Sequence, residues 1–437
     1  MMRNKIFFLI SIVILFISFQ FNFLKSVPAG HFSSFQYDSE SLVIGRLVES
    51  KINGVFSNNG QLGYASVDNL KYGDPDFFGG GKKAFLNSNI PFSYNKYNSQ
   101  FGFQGVLFSV SDKILSIFDI PVEYHLKIFH AATSLFLVII LSSILYVFSI
   151  EFGLLPVAIA LAGIACSDWL ILFARNLYWV AGFWFFPMLI VLWVHYKEKI
   201  NNTFSWDLTV IMVFTAVFLK SLSGYEYIST ILLSMIVPIV YYALIMKWSW
   251  MRYIQRTLII GVAGLCGFIS AFCIHLWQLF LGTKDITKAF ELIYQRVTIR
   301  TFTDPSSLDT NSIDLASAKS DVITVLLTYL KGSSLYGHFS FLFLISVIAV
   351  ASLIGIICLI KCDSLQFDKL KFKALLITTW VSILAPISWY VLAKGHSFVH
   401  VHMNYVLWYI PYIIYGFILV GYVVNITINK LISSMNK

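Results

Sequence analysis

Apolar residues run along this chain in blocks, separated by short polar turns and two longer polar stretches. A bilayer span needs about 20 such residues. Runs near that length fall at about 6–24, 128–149, 154–173, 177–195, 207–222, 228–246, 257–281, 339–360, 374–393 and 405–428. Ten transmembrane helices are therefore expected, the third interrupted by Asp168 and the fifth short. The longer polar stretches are 25–127 and 282–338. In the first, "SESLVIGRLVES" sets Leu42, Val43, Leu47 and Val48 on one side at helical spacing, and Asn53–Gly54 supplies a stop. That pattern predicts an amphipathic helix lying on the membrane surface. "SVSDKILSIFDIPVEYHL" (109–126) predicts a second one, leading into span two. Between them "YGDPDFFGGGKKAF" and "NIPFSYNKYNSQFGF" are rich in turn residues and aromatics and read as loop. The expected fold class is an all-α polytopic membrane protein, a single membrane domain over 1–437 with amphipathic surface helices in its large first outer loop.

Composition agrees. Charged residues make up 12% of the chain, about half the roughly 25% of a soluble domain. Lys and Arg near span ends then orient the chain. With the N-terminus inside, thirteen fall inside, from Arg3 and Lys5 to Lys430 and Lys437, and the short outer loops hold only Arg175, Lys220 and Lys394. Both termini are expected to be cytoplasmic and both long loops outside. The net charge of +9 is thereby explained by topology, and no nucleic-acid partner is expected. The first run also reads as a signal peptide ending at Ala29, but its apolar character continues to Leu24, so retention is the expectation. The five cysteines fall in spans or at the inner edge and read as packing residues. "GGGKK" fails as a nucleotide loop, because Asp76 stands where the first Gly belongs and Lys83 where Ser or Thr belongs.

Asp38 and Glu40 stand just beyond the first span, at the head of the first surface helix. One reading makes Asp38 an N-cap and Glu40 a first-turn complement to the helix dipole. The other makes a carboxylate at headgroup height the base that takes a proton from a hydroxyl. The two are compatible.

One span, a large outer loop with an acidic motif at its start, two surface helices and a bundle of short-looped spans resemble the GT-C superfamily of lipid-linked-sugar glycosyltransferases. Within it, "KSLSGYEYIS" (220–229) and "KGHSFVHVHMNYVLWY" (394–409) resemble the bacterial O-antigen-modifying, serotype-converting glucosyltransferases. The acidic motif is Asp-Ser-Glu here, whereas many relatives have adjacent acids, which leaves open whether Asp38 or Glu40 is the base. The resemblance implies transfer of a hexose, glucose, from undecaprenyl phosphate to O-antigen or a similar lipid-linked glycan on the periplasmic face of the bacterial inner membrane. It also implies membrane lipid as a partner, and leaves a donor synthase and a flippase as further ones.

A departing polyprenyl phosphate needs cations at the outer surface. Arg175, Lys220 beside Glu226, Lys394 beside His396, and Arg296 and Arg300, four apart, are the candidates. An interfacial Lys or Arg that anchors its span is the plain alternative for each. Asp168 is expected to pair with Arg175. His396, His400 and His402 suit hydrogen bonding to phosphate or sugar, with metal ligation or plain packing as alternatives. No cofactor is required, although Asp38 and Glu40 leave room for a divalent metal. Rival readings are an O-antigen polymerase or ligase, and a lipid-linked-sugar transporter or flippase; the latter predicts paired halves and charge at mid-membrane, and no repeat is visible.

Overall fold

The computed structural model describes residues 2–68, 70–71, 74, 76–301, 313–361 and 368–435. In chain order it runs α1 (Met2–Phe21), α2 (Ala29–Ser34), α3 (Tyr37–Asn53), β1 (Gly63–Val67), α4 (Phe77–Leu86), β2 (Phe92–Lys96), α5 (Phe103–Ile117), α6 (Val122–Phe152), α7 (Leu154–Ala165), α8 (Asp168–Phe173), α9 (Gly182–Asn201), α10 (Trp206–Ser223), α11 (Ile228–Ile245) and α12 (Trp250–Thr283). It continues with α13 (Ile286–Arg300), α14 (Ile313–Lys319), α15 (Val322–Lys331), β3 (Ser333–Leu335), β4 (Phe339–Ser340), α16 (Phe341–Lys361), α17 (Lys369–Ser382), α18 (Leu384–Leu392), α19 (Lys394–Val399), α20 (Val401–Asn404) and α21 (Tyr412–Met435).

Eight stretches among the described residues are long and apolar enough to cross a membrane: α1, α6, α10, α11, α12, α16, α17 with α18, and α21. The protein is an all-α multi-pass membrane protein. The apolar run 154–173 is not one helix. It breaks at Cys166–Ser167 into α7 and α8, and the Ser167 hydroxyl accepts from the Leu170 amide to restart the chain as a helix. The run 177–195 becomes α9, whose last turns carry Lys197, Glu198 and Lys199. In the bundle α10 packs on α12, α9 on α11, α7 on α21 and α1 on α6.

The long segment between α1 and α6 is more built than a pair of surface helices. Ser41 through Ser50 are buried without a break, so α3 is an interior helix rather than one with a solvated face. It lies against an antiparallel hairpin in which Gly63 of β1 pairs Lys96 of β2 and Val67 pairs Phe92. The stretch expected as loop supplies α4 and β2. Gly45 makes this possible: a Cβ there would lie 2.1 Å from the Gly63 carbonyl oxygen and 2.7 Å from the Ala65 nitrogen. Arg46, fully buried, ties the end of α3 to the next turn, donating to the carbonyls of Gly54 at 2.9 Å, Val55 at 2.7 Å and Ser57 at 2.6 Å. Asp112 on α5 and His125 on α6 clasp the helix pair, with Asp112 Oδ1 2.7 Å from His125 Nδ1.

The opposite end of the bundle is basic, and its buried carboxylates are paired with cations. Lys199 donates to Glu151 at 2.6 Å, and Tyr241 and Tyr242 add hydroxyls at 3.1 and 3.3 Å. Arg252 and Arg256 share Glu198 at 2.7 and 2.6 Å. A buried charge persists where such partners offset its desolvation.

Candidate functional site

The Asp-Ser-Glu motif folds into the first turn of α3, and the two acids meet different surroundings. Tyr37 begins the helix and Gln36, in the left-handed region at φ 53°, precedes it, so Asp38 is not the N-cap. The entry is held from elsewhere: Asn176 Nδ2 donates to the Gln36 carbonyl at 3.4 Å, and the Asn176 side-chain oxygen accepts from the amides of Tyr178 and Trp179 at 3.0 and 3.2 Å. One asparagine thus fixes both the head of α3 and the turn between α8 and α9.

Glu40 is pinned. Its Oε1 lies 2.8 Å from His130 Nε2 on α6, and its Oε2 accepts from the Leu177 amide at 3.2 Å. Burial alone would raise its pKa, but the His130 charge and hydrogen bond, the Leu177 amide and the Arg175 charge outweigh it, and the net shift is downward. Asp38 is exposed, and its carboxylate accepts no hydrogen bond among the described residues. Its charge reaches His402: partial burial lowers the pKa of that ring, Asp38 raises it, and the nearby His31 lowers it again.

Arg175 is not paired with Asp168. Its guanidinium donates to the Phe32 carbonyl at 2.7 Å and stacks 3.8 Å over the Phe32 ring, within the field of Glu40. Asp168 instead receives the Ser333 hydroxyl at 2.7 Å and the Gly337 amide at 2.9 Å, docking the β3–β4 hairpin on α8. The expected pair fails because each partner is taken by backbone or hydroxyl groups closer at hand.

The three histidines form a file. His396 and His400 rings lie 4.8 Å apart and His400 and His402 rings 6.2 Å apart, so the file leads from the buried His396, 3.3 Å from Asn404, to His402 beside Asp38. Lys394 is buried, and its ammonium donates to the carbonyls of Ala318 at 3.0 Å and Ser320 at 2.7 Å. Lys220 is likewise buried and donates to the carbonyls of Gly224 and Glu226. Gly224, at φ +151°, closes that turn where a Cβ would lie 2.6 Å from a Glu226 carboxylate oxygen and 2.7 Å from the Gln100 oxygen. Lys220 and Glu226 therefore act on one loop, apart from the contacts described around Asp38.

Arg296 lies on α13, exposed, at an apolar cavity of about 430 Å³ walled by Tyr225, Phe268, Phe272, Ile293 and Trp389. Arg300 ends the same helix one turn on, but its side chain lies outside the described residues. Trp389 links this cavity to the histidine file, its ring 5.7 Å from His396.

Among the described residues no group of three or more His, Cys, Asp or Glu is assembled to hold a metal. Both Glu40 oxygens are engaged, Oε1 by His130 and Oε2 by the Leu177 amide, while the Asp38 carboxylate is exposed. Cys166, Cys266 and Cys273 are free thiols, and Cys362 lies outside the described residues. His130, Asn176, His31 and the Leu177 amide escaped the sequence reading. They stand 90 or more residues from their partners at the head of α3, except His31, and the only local signal was a second histidine, after His125, near the start of α6.

The arrangement defines a multi-pass membrane protein with an exposed carboxylate, a pinned carboxylate and a histidine file gathered where the segment after α1 meets the spans. Compared with family models, with curated proteins and with solved structures, the chain gives no match.

Proposed function

We propose that the protein is a glycosyltransferase of the outer membrane face that takes a hexose, glucose by resemblance, from a polyprenyl phosphate and transfers it to a lipid-linked glycan. The observation that carries this reading is the contrast between the two acids. Glu40 is spent on His130 and Leu177, whereas the Asp38 carboxylate is exposed, accepts no hydrogen bond among the described residues, and lies within the field of His402. Asp38 is then the general base and Glu40 the positioning acid that fixes the turn on which Asp38 sits.

In the proposed step Asp38 removes the proton from an acceptor hydroxyl as its oxygen attacks the anomeric carbon. The bond from that carbon to the phosphate oxygen breaks, and polyprenyl phosphate leaves with the electron pair. One displacement inverts the anomeric centre. Charge that builds on the leaving phosphate requires donors nearby. The apolar cavity with Arg296 at its edge has the amphiphile's pattern, an apolar body and a cationic end. Lys220 and Lys394, held by backbone carbonyls, serve the shape of the site in this mechanism rather than the phosphate directly.

The test is reconstitution. Purified protein in vesicles, given a polyprenyl-phosphate hexose and a lipid-linked glycan, should form one new glycosidic bond with inverted configuration. Asp38→Asn should lower the rate by about 10²–10⁴-fold while leaving the thermal unfolding temperature unchanged. Wild-type rates in that variant would remove Asp38 as the base, and no transfer from any hexosyl donor would remove the reading itself.

A further inference from the structure

At the basic end of the bundle, the buried carboxylates take Lys199, Arg252 and Arg256. Lys5 is not among them. Exposed on the first turn of α1, it makes no hydrogen bond or ion pair among the described residues. It stands at an open recess of about 470 Å³ lined by α1, α6, α9 and α10, whose walls include Phe8, Tyr146, Phe186, Leu189, Trp193 and Met212. The lining is almost wholly apolar. Lys197, exposed on α9, places its ammonium 4.9 Å from the Trp193 ring, which borders the same recess. Two lysines therefore stand near one apolar recess, at the end of the chain where the excess of positive charge lies.

We propose that this recess is a binding site for one anionic phospholipid, with an acyl chain between α1 and α10 and the phosphate drawn to Lys5 and Lys197. The apolar walls disfavour water, and an acyl chain satisfies them without any polar cost. Trp193, amphipathic and partly exposed, is the side-chain type that settles at headgroup depth. A zwitterionic lipid carries its own ammonium beside the phosphate, which the lysines repel. A net anionic headgroup carries no such compensating charge. This site lies at the far end of the bundle from Asp38, and it stands or falls independently of the glycosyltransferase reading.

The experiment uses the full chain, purified in detergent and stripped of lipid, with phosphatidylglycerol or phosphatidylcholine added back and retention read by native mass spectrometry. One phosphatidylglycerol should be kept in preference to phosphatidylcholine. Lys5→Gln and Lys197→Gln should each weaken retention about fivefold, the effect of one lysine near an anionic headgroup. Met212→Trp, which fills the recess from α10, should abolish it. Both lysines are exposed, so those variants report even if the filled variant fails to fold. Equal retention of the two lipids, or phosphatidylglycerol retention untouched by both lysine variants, would overturn the site and leave only unselective lipid at the surface. Displacement of phosphatidylglycerol by an equimolar polyprenyl phosphate would also overturn it, by giving the recess to a different lipid class.

Discussion

At the residue scale, the two acids of one helical turn carry different fates, and pH separates them. Glu40 has a folded pKa below its unfolded value, so its contribution to stability is present above the ordinary glutamate pKa near ~4.3 and is lost as pH falls through the folded value. Glu40→Gln keeps the shape but removes that titration. The unfolding temperature of wild type should therefore exceed that of Glu40→Gln at neutral pH and converge on it in acid, measured by a pH series of thermal melts. A gap that stays constant down to acid pH would mean that Glu40 is not held ionised by His130 and Leu177. Removing the other side of the contact, His130→Ala, should lower stability at neutral pH as well, because a half-buried carboxylate then loses its nearest donor. Asp38 and Glu40 were legible in the sequence as acids beside a span. Their division of labour was not, because it depends on His130 and Leu177, 90 and 137 residues away.

At the scale of elements, pattern reading succeeds where one side of a helix is apolar and fails where tertiary contacts decide. The spans announce themselves by length. α4 does not: three consecutive glycines at 79–81 argue against a helix, yet Phe77, Ala84 and Phe85 are buried and the helix packs on α3 and β1. α3 looked like a surface helix because four large apolar residues share one side, but the small Gly45 opens another side to the β1 strand. Gly45→Ala should cost about 1–3 kcal/mol, the scale of forced overpacking, read as a lowered unfolding temperature. An unchanged melt would show that the strand can withdraw. Lys394 makes the same point for a loop. Its sequence context suggests a phosphate contact, but its ammonium binds the carbonyls of Ala318 and Ser320 and so fastens α19 to the chain between α14 and α15. Lys394→Met strands two carbonyls, and stability should fall by about 1–3 kcal/mol while the activity per folded molecule holds. Loss of activity at undiminished stability would return Lys394 to the substrate.

At the scale of the whole molecule, the paired basic residues and the Asp-Ser-Glu motif occupy opposite ends. α1 carries Lys5 in its first turn and is followed by α2 and the Asp38 turn of α3, so the basic end and the acidic motif are a helix length apart whatever the orientation. Lys199, Arg252 and Arg256 join Lys5 at the first, while Glu40, His130 and Arg175 gather at the second. The rule that positive loops stay in the cytoplasm then predicts that Asp38 lies outside. Single cysteines test this in a background freed of native cysteines. Ser88 is exposed in the turn between α4 and β2, and Thr203 is exposed in the turn between α9 and α10. Ser88→Cys should react with an impermeant thiol reagent applied to intact cells from outside, and Thr203→Cys should react only after the membrane is opened. The reverse pattern would put Asp38 in the cytoplasm. A carboxylate there would meet soluble nucleotide-sugars, and a donor that presents its sugar at the outer surface of a membrane would never reach it.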